Sequence, residues 1–130
     1  MTDAGLVPWL AVAAGGATGA CLRFGTTLWL GVPAMPAWPW ATFSVNLLGS
    51  FMFGLLTVVL ASMTNSDGWR LAIMTGMLGA LTTFSTFSFE LVRMVEVKAH
   101  VLAAGYALTS VIACVTLAGL GLTIGRLIFE

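Results

Sequence analysis

The chain has 130 residues, of which 59% are hydrophobic and 8% charged, with 5 Lys+Arg against 5 Asp+Glu and a formal net charge of +0; mean hydropathy is +1.03. A soluble domain carries about 25% charged residues, so there are too few charges here to cover a water-facing surface, and no Lys/Arg cluster exists to neutralise the phosphates of a nucleic acid. The apolar content also excludes disorder, which leaves a small all-α integral membrane protein with one domain over 1–130.

The first charge-free window runs from Ala4 to Leu22 and predicts a helix over 5–29. A spanning helix needs about 20 mostly apolar residues. Asp3 and the absence of Lys or Arg before the window argue against a signal peptide. Gly15 and Gly19 have the spacing that lets two helix backbones approach closely. Packing within one subunit explains that spacing, and so does tight oligomerisation. Arg23 is placed near the end of this helix, where it snorkels. The second window, Phe24 to Ser66, is too long for one span. Gly31, Pro33, Pro36 and Pro39 mark a turn inside it, and the second helix is predicted over 39–63. Asn46 lies mid-span there, with Thr42 one turn before it and Ser50 one turn after. Its amide offers two N–H donors, to another helix or to an anion.

A turn at Asn65-Ser66-Asp67-Gly68 leads to a third helix predicted over 69–97. Gly76 and Gly79 precede five hydroxyls packed into Thr82 to Ser88. Ser and Thr re-satisfy backbone groups where a membrane helix is interrupted. This pattern predicts a helix broken mid-membrane near 79–83, whose freed carbonyls can hold a cation; a continuous helix with hydroxyls bonded to its own carbonyls is the other reading. Phe84 and Phe87 share a face amid these hydroxyls. The positive edges of such rings suit a small anion in a narrow dry passage. The charged stretch from Arg93 to His100 ends the helix, with Glu90 near its end. The fourth helix is predicted over 100–127. Tyr106, Ser110 and Cys114 repeat at i, i+4 and i+8 along one face, and Gly121 and Gly125 repeat the close-approach spacing. Cys21 and Cys114 are read as small packing residues, since no Cys/His cluster has metal-ligand spacing.

Trp9, Trp29, Trp38, Trp40 and Trp69 all fall near these helix ends, where an amphipathic ring prefers the headgroup region. Four spans put both termini and the 64–70 loop on one side, with Arg70 and Arg126. Arg93 and Lys98 lie on the other side, joined by Arg23 if it snorkels that way. The positive-inside rule needs an excess, and this balance permits insertion in both orientations. No carboxylate lies mid-span, as a proton-coupled exporter requires. No nucleophile–base pair or paired carboxylates suggest an enzyme.

Three segments resemble a known family. Gly15-Gly16-Ala17-Thr18-Gly19-Ala20-Cys21-Leu22-Arg23-Phe24, Thr42-Phe-Ser-Val-Asn46-Leu-Leu-Gly49-Ser-Phe and Gly76-x-x-Gly79-x-x-Thr82-Thr83-Phe84-Ser85-Thr86-Phe87 are similar, in order and spacing, to the motifs of the CrcB/Fluc fluoride channels. The resemblance implies an antiparallel dual-topology homodimer in the lipid bilayer, with two pores that passively export fluoride from the bacterial cytoplasm. It implies Phe84 and Phe87 as pore phenylalanines, Asn46 as a pore donor, and Tyr106, Ser110 and Cys114 as a polar track, with Thr42, Ser85 and Thr86 also in the pore wall. Gly79 and Thr82 would give backbone carbonyls to a structural sodium ion on the dimer axis. Arg23 would line an electropositive vestibule and Glu90 a pore end. Three departures stand out: Phe24 where Tyr is common, Ala80 where a second glycine is frequent, and Cys114 where a serine is typical. A small dual-topology multidrug exporter would carry a mid-membrane Glu in helix one, which Ala4–Leu22 lacks. A structural subunit of a larger membrane complex is the remaining alternative.

Overall fold

The structure, a computed structural model, describes residues 5–129; Asp3 lies outside them. The described chain is all helical, and four segments are long and apolar enough to cross a membrane: Leu6–Leu30, Trp40–Ser62, Asp67–Glu96 and His100–Phe129. Helix α1 is Leu6–Leu30 and α2 is Trp40–Ser62. The third segment has internal structure. Its first part, α3, joins a short turn Asp67–Trp69, a π-helical stretch Arg70–Leu78 and a last α-turn Gly79–Leu81. Thr82 and Thr83 are then extended, at φ −79, ψ 152 and φ −150, ψ 118. Helix α4, Phe84–Glu96, follows, and α5 is His100–Phe129. These bounds lie within a residue or two of those read from the sequence, the size of ordinary fraying.

The turns form where their chemistry requires. Gly31 closes α1 at φ +79, donating its N–H to the Thr27 carbonyl at 2.9 Å; only glycine takes this backbone without a Cβ penalty. Asn65 adopts φ +60 in the next turn, a conformation that asparagine tolerates better than most residues.

Two seams hold the bundle. Along α1 and α3 the backbones touch. A Cβ on Gly15 would lie 1.8 Å from the Ala72 carbonyl oxygen, and one on Gly19 2.0 Å from that of Met77. Along α2 and α5, a Cβ on Gly121 would lie 2.2 Å from the Phe51 carbonyl oxygen. The Gly15/Gly19 and Gly121/Gly125 spacings therefore serve packing inside the chain, and the oligomerisation reading of them is corrected. The reason is geometric: each glycine already faces a carbonyl of its own chain, so no partner helix can use the same surface. Replacing Gly19 by alanine should cost about 3 kcal/mol, the upper part of the usual range for overpacking, because backbone rather than a flexible side chain opposes the new methyl. Retention of the folded peak by fluorescence size-exclusion chromatography over a temperature series would measure it.

Side-chain packing is concentrated in two small clusters. Val45, Leu78 and Leu81 form one, and Phe87, Met94, Ala103 and Tyr106 the other. The outer surface is apolar, with Leu28, Trp29, Val101, Val115 and Leu127 each at least 69% exposed. That is the surface of a chain solvated by hydrocarbon.

Candidate ion-path site

The site is built around Thr82 and Thr83. The Thr82 N–H still donates to the Leu78 carbonyl at 3.0 Å, and its hydroxyl donates to the same oxygen at 2.9 Å. Beyond it the ladder stops. The Thr83 N–H donates to Asn46 Oδ1 at 2.8 Å, and Asn46 Nδ2 donates back to the Thr83 carbonyl at 3.1 Å. One amide side chain on α2 thus takes the Thr83 N–H out of the helical ladder and adds a bond to the Thr83 carbonyl, which as the N-cap carbonyl also receives the first N–H of the next helix. The Gly79 carbonyl, one turn earlier, is left without that N–H. Thr83 also starts the next helix as its N-cap. Its hydroxyl oxygen accepts from the Thr86 N–H at 3.2 Å and donates to Thr86 Oγ1 at 3.0 Å, with Ser85 Oγ 3.2 Å away. Such a cap satisfies one of the orphan N–H groups of a helix start.

A cleft of about 390 Å³ opens on one side of this segment, walled by Asn46, Thr83, Phe84, Phe87, Ser110 and Cys114 among others. The Phe84 and Phe87 ring centroids are 5.6 Å apart with planes at 43°. Ser110 is 6% exposed and its Oγ has no hydrogen-bond partner. A buried hydroxyl of this kind points to a ligand or water in the space beside it. On the other side lies a hollow of about 320 Å³, walled by Arg23, Thr27, Thr42, Thr83 and Thr86. Thr83 lines both spaces.

The expected residues are therefore divided. Asn46, Thr82, Phe84, Phe87, Ser110 and Cys114 meet in the cleft, whereas Thr42, Thr86 and Arg23 meet in the hollow. Arg23 lies two turns before the end of α1 at Leu30, as the sequence places it, and walls the hollow. The hydroxyl/thiol stripe on α5 splits: Ser110 and Cys114 reach the cleft, while Tyr106 lies fully buried behind Phe87, ring centroids 5.2 Å apart. Glu90 lies in α4, within two turns of its end at Glu96. It accepts from Thr42 Oγ1 at 2.6 Å and from Tyr106 Oη at 2.8 Å, so that it ties α2, α4 and α5 together. Gly79 borders neither space. The role of Thr83 was missed, although a Thr three residues before another hydroxyl, at the head of an amphipathic run, is a legible cap signal. Ser50 and Phe53 also wall the cleft and were not singled out as pore residues.

The arrangement offers neutral N–H, O–H and ring-edge groups in a mostly apolar surround. Among the described residues no three His, Cys, Asp or Glu side chains gather to hold a metal. Comparison with known proteins agrees with the resemblance drawn from the motifs. Residues 10–122 match the family described as "CrcB-like protein, Camphor Resistance (CrcB)". A protein of Bordetella petrii named "Fluoride-specific ion channel FluC" is 48% identical over 120 residues, covering 90% of this chain and 91% of its own. Proteins of the same name from Erythrobacter litoralis and Bordetella bronchiseptica are 46% identical over 124 residues and 41% over 123, covering 91% and 94% of this chain and the same shares of their own. With the family match running through all four spans and the paired Asn46–Thr83 segment inside it, this chain belongs to the CrcB family.

Proposed function

We propose that this protein is a passive fluoride channel, one multi-pass channel domain over 1–130 in the bacterial inner membrane, which reduces fluoride toxicity by letting the ion leave the cytoplasm. The observation that carries the reading is the cleft beside Thr83, where Asn46, an unpartnered Ser110 hydroxyl and the Phe84/Phe87 pair converge without a charged side chain. Fluoride is small and strongly hydrated. A path for it must replace water with donors and ring edges, yet release the ion quickly. Neutral groups do this, whereas a fixed positive charge would trap the anion. Narrowness excludes the larger chloride. Fluoride enters acidified cells as neutral HF and is held inside as the anion. The membrane potential then drives efflux, by about 2.3 kcal/mol per elementary charge per 100 mV.

The working unit is an antiparallel homodimer with two pores. The near balance of Lys and Arg between the two sides supports dual insertion. Phe84, 78% exposed in the single chain, leaves the cleft open on a flank that a second copy would close. A structural sodium ion fits the same segment: extended Thr82 turns its carbonyl off the helix direction, and the Gly79 carbonyl lacks its usual N–H. Neutral carbonyl oxygens of this kind suit a hard monovalent cation, which when bound would supply a fixed positive charge between helix ends. Gly79 and Thr82 would hold it.

The test is efflux from liposomes containing the purified protein, followed with a fluoride electrode and in parallel for chloride. Fluoride release without chloride release is the expected result, and a structural subunit or a drug exporter would give neither. Orientation is tested separately. Two lysines added after Met1 should bias insertion and lower efflux in cells, with recovery on co-expression of an oppositely biased copy; full activity from one fixed orientation would overturn the antiparallel dimer.

A further inference from the structure

The two thiols of the chain sit in different surroundings. Cys21 is exposed on α1 and walls neither space, whereas Cys114 is half-buried on α5 and walls the cleft. Ser110, one turn before Cys114, walls the same cleft, is 6% exposed and has an Oγ without a partner. That hydroxyl independently marks the space beside Cys114 as one that receives a polar guest. We propose that Cys114 is a covalent modification site at which a small thiol-reactive electrophile, a thiosulfonate or a low-mass disulfide, enters the ion path and closes it.

The cleft suits such a guest. Its volume of about 390 Å³ falls within the range of small-molecule sites. Phe53, Val111 and Ala118 supply apolar wall for an alkyl group. Asn46 and Ser110 supply N–H and O–H donors for the polar end of the guest. With methyl methanethiosulfonate the Cys114 thiolate attacks the sulfenyl sulfur. The new Sγ–S bond forms as the S–SO2 bond breaks, methanesulfinate leaves with the electron pair, and the thiol proton passes to water. The thiosulfonate is itself the oxidant, so no other co-reactant is needed. A methylthio group left on Sγ projects into a passage that must stay narrow to select fluoride, and the block is undone by a reducing thiol. A serine at this position could not react, so the sensitivity belongs to chains that carry cysteine here.

The proposal rests on the channel reading, and the experiment separates the two. Assembled protein in liposomes, native or carrying Cys21→Ala or Cys114→Ser, is treated with methyl methanethiosulfonate. Each flux is scored against that variant's own untreated flux, and labelling is read by mass spectrometry. The native protein and Cys21→Ala should gain a methylthio group on Cys114, lose more than about tenfold of their flux and recover it with dithiothreitol. Cys114→Ser should keep its untreated flux. Absence of label on Cys114, full labelling with unchanged flux, or equal inhibition of Cys114→Ser would overturn the proposal. Untreated native protein that carries no fluoride would instead sink the channel reading, whatever the label shows.

Discussion

Replacing Asn46 by leucine should lower fluoride efflux by at least about 100-fold and destabilise the folded chain. The side chain makes two hydrogen bonds to one residue: Oδ1 accepts from the Thr83 N–H at 2.8 Å and Nδ2 donates to the Thr83 carbonyl at 3.1 Å. Leucine fills a similar volume and removes both bonds. The Thr83 N–H is then stranded among apolar side chains, at about 1–3 kcal/mol, while its carbonyl keeps only the helical N–H. Asn46→Asp adds an electrical effect to the structural one. Ionised aspartate still accepts from the Thr83 N–H, but it sets an oxygen against the Thr83 carbonyl and a negative charge beside the anion's path. It should lose at least as much thermal stability as leucine and conduct no better. Liposome efflux and a melting series by fluorescence size-exclusion chromatography read both variants. Near-normal flux in Asn46→Leu would remove this residue from the path and its support.

The aromatic pair gives the second large effect, and here the structure divides two residues that the sequence treats alike. Phe84 is 78% exposed in the single chain, whereas Phe87 is 6% exposed and packs on Tyr106 at 5.2 Å. Both line the cleft, 5.6 Å apart. Isoleucine keeps apolar bulk and discards the ring quadrupole. If ring edges touch the passing anion, Phe84→Ile and Phe87→Ile should each cut efflux by more than about tenfold, at a stability cost for the swap under about 1.5 kcal/mol. Phe87→Ile alone should also show a melting shift, since a buried aromatic contact is worth about 0.5–1.5 kcal/mol beyond its area. Wild-type flux from both variants in correctly assembled protein would leave the pair as packing residues.

The four spans were legible because charge is so scarce that its positions mark the helix ends: every Asp, Glu, Lys and Arg from Asp67 to Arg126 lies in a turn or within two turns of a span's end, and the prolines at 33, 36 and 39 divide the one window that was too long. The hydroxyl cluster at 82–88 was legible as a place where backbone groups need help. What supplies that help was not. Asn46 and Thr83 are 37 residues apart in sequence, and a pattern that sees only i+3 and i+4 neighbours cannot pair them. Glu90 met the same limit, since its partners Thr42 and Tyr106 come from two other helices. The π-helical run Arg70–Leu78 left no mark in composition, because no residue type demands that hydrogen-bond pattern over the α-helical one. The glycine spacings announced close contact but not with whom: any carbonyl-bearing helix could be the neighbour, and the near one turned out to belong to the same chain.

Helix α1 buries a single residue, Gly19, among its described positions. It packs on α3 through backbone contact and turns most of its side chains outward. In the dimer proposed above, that outward face is the part of the helix free to meet a second copy. Mass action then governs assembly: the glycine seam holds α1 to its own subunit, and the paired fraction rises with the density of copies in the bilayer. A cell making few copies would hold them in equilibrium with single chains, so the level of working channel would fall faster than the rate of its synthesis.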